Sequence, residues 1–175
     1  MNKLIALFWL LMMIGFSHHA PSSGHLDVEF SGVLVRGSCQ LTAESINKKI
    51  RLDNLRWQFI NENESSAVTP FSIGIENCSQ TDLNKTIKFT WQSHQLVNIN
   101  GNSYISTQGS SGVVLGLVDS EEKPIVWNTA MEIGAVSTVG SEQQIAFGVL
   151  ARKPASGEAN VGDFSGRVTF ALEYE

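Results

Sequence analysis

The sequence predicts an all-β sandwich. Short apolar–polar alternations of period two recur along the chain, and clusters of Gly, Asn, Ser and Pro separate them. No stretch has a convincing helical period; "TAESINKKI" (42–50) is the one weak candidate.

The strands follow in order. "HLDVEF" (His25 to Phe30) places Leu26, Val28 and Phe30 on one side, and "KKIRLDNL" (Lys48 to Leu55) offers Ile50 and Leu52. "FSIGIEN" alternates through Phe71, Ile73 and Ile75, and "TIKFTW" through Ile87, Phe89 and Trp91. "VVLGLV" (Val113 to Val118) is a continuous apolar run, the pattern of a strand covered on both faces. "QIAFGVLA" is led by Ile145, Phe147 and Val149. The last strand runs through Val168, Phe170, Leu172 and Tyr174, apolar to the penultimate residue, where most domains fray into polar residues. Between these lie turn clusters such as "NENESS", "NINGNS", "STQGSSG", "DSEEKP" and "KPASGEANVGD".

A chain of 175 residues, 42% hydrophobic and 17% charged, suits one globular domain. Its first stretch has the layout of a secretory signal peptide: Lys3, an apolar run from Leu4 to Phe16, then the polar "SHHAPSSG". That run is short for a membrane span, which leaves an uncleaved anchor as the lesser reading. Cleavage after Ser22 is favoured, because it leaves Ala20 and Ser22 as the small recognition residues and avoids Pro21 next to the scissile bond. Residues 1–22 are then the signal peptide. Losing Lys3 leaves 11 basic residues against 17 acidic ones, a charge of −6. An acidic surface without a basic stripe argues against nucleic acid and anionic membranes as partners.

Cys39 and Cys78 are the two cysteines, and in an exported chain they are expected to pair; two unrelated buried thiols are the other reading. Neither a metal nor a cofactor site is expected. His94 stands alone, and no two histidines after the signal peptide have ligand spacing. There is no nucleophile elbow or phosphate-cradling loop. The serines of "GSSG" (Gly109 to Gly112) lie in a turn without a positioned base, and Glu121 and Glu122 read as solvated charge. No catalysis is expected. Asn63, Asn77 and Asn84 each open an N-x-S/T triplet, a weak signal in a chain so rich in these residues. Trp57, Trp91 and Trp127 are scattered; core or rim packing is the default for them, and an exposed sugar-binding platform the alternative.

The two ends together carry a resemblance. Gly162 stands fourteenth from the C-terminus, Tyr174 is penultimate, and Phe164, Val168, Phe170 and Leu172 fill the apolar positions between. "PFSIGIENC" runs into Cys78, and "LDVEFSGVLVRGSC" leads to Cys39 with Gly32 seven residues before it. Over essentially the whole mature chain this resembles the subunits of bacterial pili assembled by the chaperone–usher route. The resemblance implies an incomplete immunoglobulin-like sandwich of six own strands, its seventh supplied in trans, with one disulfide. Residues 23–37 would be an N-terminal donor extension and 38–175 the pilin domain.

The implied mechanism is strand addition. A periplasmic pilus chaperone first lends a strand to a groove walled by Gly162, Phe164, Val168, Phe170, Leu172 and Tyr174. At an outer-membrane usher, the extension of a neighbouring pilus subunit then replaces it. Leu26, Val28, Phe30 and Leu34 would be the donor side chains, with Gly32 where the groove admits none. The product is an extracellular fimbria on the bacterial surface, contributing to adhesion, with any host glycan or receptor contacted only indirectly. The chain lacks room for a receptor-binding domain, and its short extension is closer to the minor subunits of such pili. The alternative is a single-domain carbohydrate-binding adhesive subunit using exposed tryptophans.

Overall fold

Strand alternation becomes burial alternation in the computed structural model, which describes residues 24–28 and 39–175. The expected signal peptide, and Phe30, Gly32 and Leu34, lie outside these residues. Two six-stranded sheets form. The first contains β1 (Gly24–Val28), β3 (Lys49–Leu52), β5 (Thr86–Gln92), β8 (Gln108–Gly109), β10 (Met131–Ala135) and β12 (Phe164–Tyr174). Its strands run in the order β10-β5-β12-β1-β3, with β8 beside the start of β12. The second contains β2 (Gln40–Leu41), β4 (Thr69–Glu76), β6 (Leu96–Ile99), β7 (Asn102–Ser106), β9 (Val114–Val118) and β11 (Gln143–Arg152). Their order is β2-β4-β11-β9-β7-β6.

Each of the seven strands expected from sequence is present, and the turn-rich stretches add β2, β6, β7, β8 and β10. β6 and β7 form a hairpin about Asn100 (φ 54°) and Gly101 (φ 87°). Two successive positive φ values match the right-handed twist of the flanking strands, which is why Asn-Gly suits a two-residue turn. β9 is buried at all five positions, as its unbroken apolar run predicts.

The sheets meet through aromatic rings. Phe89 and Trp91 of β5 lie 5.1 Å from Phe147 of β11, centroid to centroid. Phe170 of β12 joins them, 4.7 Å from Phe89 and 5.3 Å from Trp91. The Cys39–Cys78 disulfide pins the start of β2 to the end of β4.

Two short helices complete the fold. α1 (Ala43–Ile46) falls within the weak helical candidate, held by Ser45, whose buried hydroxyl accepts the Gly74 N–H at 2.8 Å. α2 (Trp57–Asn63) is a correction to the sequence reading. It buries only Ile60, so it has no apolar stripe to detect; the side chain of Asn61 ties it to the far loop by exchanging two hydrogen bonds with the backbone of Ala159.

Candidate functional site

The last strand is one wall of a slot. On β12, Phe164, Gly166, Val168 and Phe170 are buried, while Ser165, Arg167, Thr169 and Ala171 are not. The opposite wall is β3, whose Ile50 and Leu52 are buried and whose Lys49 and Arg51 are exposed. Among the described strands these walls do not pair with each other; β1 lies between them and makes the sheet continuous.

β1 runs parallel to β12 and antiparallel to β3. Leu26 stands in register with Gly166 on one side and Ile50 on the other, and Val28 with Val168. Asp27 falls between the two cationic positions Arg167 and Lys49. Gly24 is buried opposite Leu52, and a Cβ there would come within 2.2 Å of the Phe164 ring. That ring fills the space a side chain would need, so this step of the slot admits only glycine.

Beyond Gly24 the slot opens into a cleft of about 840 Å³, lined by Leu52, Leu55, Trp57, Ile60, Val161 and Gly162 among others. Gly162 sits here because of a close approach: a Cβ would lie 2.1 Å from Ser110 Oγ and 2.9 Å from the Ser111 backbone nitrogen. The Ser110 hydroxyl is 3.2 Å from Asp163 Oδ1, which gives the "GSSG" turn a structural part in anchoring the start of β12.

At the other end, β12 pairs with β5 up to Tyr174 opposite Ile87, and Glu175 exchanges backbone hydrogen bonds of 2.7 and 3.0 Å with Thr86. Leu172 and Tyr174 are half-buried against the core. The Tyr174 hydroxyl is buried without a hydrogen-bond partner among the described residues, and burial pushes its pKa well up. Nearby charge comes from Asp82, which is fully buried. Its carboxylate accepts from Lys85 Nζ (2.8 Å), Ser79 Oγ (2.6 Å) and Ser79 N (3.0 Å), and these bonds hold its pKa down at about 2.

The tryptophans separate by burial. Trp91 is fully buried and cannot be a sugar platform, and Trp127 donates its indole N–H to the Ser103 carbonyl. Trp57 is 38% exposed at the cleft mouth. Glu121 pairs with Lys123 at the exposed 119–123 turn, as solvated charge should.

The sequence profile of the family described as "Fimbrial protein" matches residues 28–175. The chain belongs to this family. As a fimbrial subunit it is similar to the PRS fimbrial major pilin protein of Escherichia coli, at 26% identity over 90% of this chain and 99% of that one. It is also similar to the major MR/P fimbria protein of Proteus mirabilis, at 25% identity over all of this chain and 99% of the relative. Among solved structures it resembles a chain of a chaperone–usher pilus (TM-score 0.65, 20% identity, 83% of this chain and 93% of that chain). The P pilus rod subunit PapA gives a TM-score of 0.62 at 21% identity, over 78% and 99% of the two chains. The fold is therefore the immunoglobulin-like sandwich of pilins, and the family is a structural one. These relatives are major or rod subunits, so the expectation of a minor subunit rests on the short extension alone.

Of the residues expected to form the groove, Phe164, Val168 and Phe170 line up on the buried face of β12; Leu172 and Tyr174 continue it half-buried, and Gly162 lines the cleft. Leu26 and Val28 hold register positions in the slot. Sequence reasoning missed the second wall, Ile50 and Leu52, and it missed Gly24. Two alternating apolar residues mark a strand but say nothing about its neighbours.

Proposed function

We propose that this fimbrial subunit polymerises by strand addition into the slot between β12 and β3. A periplasmic chaperone fills the slot first. The N-terminal extension of a neighbouring subunit replaces that strand at an outer-membrane usher, and the product is a surface fibre. The observation that carries this reading is that the first sheet is joined across β12 and β3 only by β1, among the described strands. β1 precedes the disulfide-closed part of the chain, so it can be withdrawn without breaking into the rest of the core. In this reading Leu26, Val28, Phe30 and Leu34 supply the donor side chains, and burying four of them contributes roughly 6–12 kcal/mol. That is comparable with the whole stability of a domain, so an empty slot leaves a weakly stable fold with two exposed edges.

The test is thermal unfolding of residues 36–175, alone and with residues 23–36 attached through a flexible linker to the C-terminus. A large rise in Tm on attachment, abolished by Phe30→Asp, supports the reading. Cooperative melting of the truncated domain at an equally high temperature would refute it.

A further inference from the structure

We propose that the extension is a reversible plug, able to fill the slot in either direction, and that the two directions separate a self-capped monomer from a growing fibre. The inference rests on reading the slot as a donor-strand groove.

The extension "GHLDVEFSG" is symmetric by residue class about Val28. One step away on either side stands an acid, Asp27 or Glu29; two steps away a large apolar residue, Leu26 or Phe30. Three steps away stands a polar residue, His25 or Ser31; four steps away a glycine, Gly24 or Gly32. The structure gives each class its place. Val28 faces Val168, the acid falls between Arg167 and Lys49, the apolar residue lies between Gly166 and Ile50, and the glycine meets the Phe164 ring.

Turning the strand end for end about Val28 leaves the same alternate residues directed inward, because side chains alternate with period two. Glu29 then replaces Asp27, Phe30 replaces Leu26, and Gly32 replaces Gly24. Keeping the observed direction but sliding Gly32 to the Phe164 position would instead carry Leu26, Val28 and Phe30 past the start of β12. Gly32 can meet the Phe164 ring with those residues still in the slot only if the strand is reversed.

The two directions differ at the cleft. In the observed direction the residue two steps beyond Gly24 is Ser22, the last residue of the expected signal peptide. In the reversed direction the residue two steps beyond Gly32 is Leu34, which meets the apolar cleft lined by Leu55, Trp57, Ile60 and Val161. One additional buried leucine favours the reversed state by roughly 10- to 100-fold. The observed, parallel state is thus a weaker cap: it covers the slot of a free subunit and yields to a neighbour's extension arriving the other way.

The experiment uses the mature chain, residues 23–175, purified as a monomer and incubated to form multimers. Gly24→Val should lower the monomer Tm by roughly 4–10 °C, through a side chain forced against Phe164, and should speed multimer formation. Combining it with Phe164→Ala should remove that penalty, which separates the clash from general misfolding. Gly32→Val should leave the monomer Tm within about 2 °C and stop multimers forming, and Leu34→Ser should slow them. Equal effects of the two glycine variants on both readouts, or a lower monomer Tm from Gly32→Val alone, would overturn the proposal. The groove reading itself fails separately, if deleting residues 23–34 leaves the monomer Tm unchanged.

Discussion

Replacing Phe170 by Ala tests whether the last strand is core material. Phe170 is 2% exposed and stacks at 4.7 Å on Phe89 and 5.3 Å on Trp91, so truncation removes a whole ring from the centre of the sandwich. Phenylalanine-to-alanine changes in cores cost about 3–5 kcal/mol, a figure that contains both the lost transfer energy and the cavity left behind. The two aromatic contacts place this site in the upper part of that range, at about 4 kcal/mol. Against a total of roughly 5–15 kcal/mol the variant keeps between a small fraction and three quarters of its stability. In a chain of this size the loss corresponds to a Tm lower by roughly 8–16 °C. Urea unfolding of the oxidised mature chain, followed by tryptophan fluorescence and far-ultraviolet circular dichroism, should give a lower midpoint with an unchanged slope. Phe170→Leu should recover about half of the loss. A loss below about 1 kcal/mol at constant slope would mean that β12 does not seal the core, and the account of the slot would fall with it.

Three further outcomes are expected. Replacing both Cys39 and Cys78 by Ser opens a loop spanning 39 positions and should cost about 4 kcal/mol, measured as a lower urea midpoint than that of the oxidised parent. Asp82 has a folded pKa lowered to about 2, so its contribution is complete above the ordinary carboxylate range and is lost as pH falls through its folded value. Asp82→Asn should therefore lower Tm clearly at pH 7, and the gap between variant and parent should shrink below pH 4 and nearly close at about pH 2; a gap independent of pH would contradict the assignment. Tyr174→Phe removes a buried hydroxyl that has no partner among the described residues, so Tm should stay level or rise, by an amount equivalent to about 1 kcal/mol or less. A fall of several degrees would reveal a hydrogen bond that Tyr174 makes in solution.

Much of the sandwich was legible because burial and strand period coincide. Ile73 and Ile75, Phe89 and Trp91, and Val168 and Phe170 alternate in the sequence and are buried together. The hairpin of β6 and β7 was visible only as a turn, since its strands are short and half-buried. α2 left no signal, because one buried Ile60 sets no period and the helix is held by side-chain bonds of Asn61 to a residue 98 positions away.

For the site the division is sharper. Sequence alone determined which residues could wall a groove and which could fill one: alternation at both ends is a local property, set by the two-residue repeat of a strand. The cysteine pair was likewise legible from composition and compartment. Tertiary structure decided what no local pattern contains. It placed β3 as the second wall, inserted β1 parallel to β12, and set Gly24 against the Phe164 ring. Strand direction and partner are relations between segments far apart in the chain. The extension is nearly symmetric in residue class, so its own sequence is indifferent to direction. Only the shape of the slot, closed by Phe164 and open at the cleft beside Gly162, tells one direction from the other.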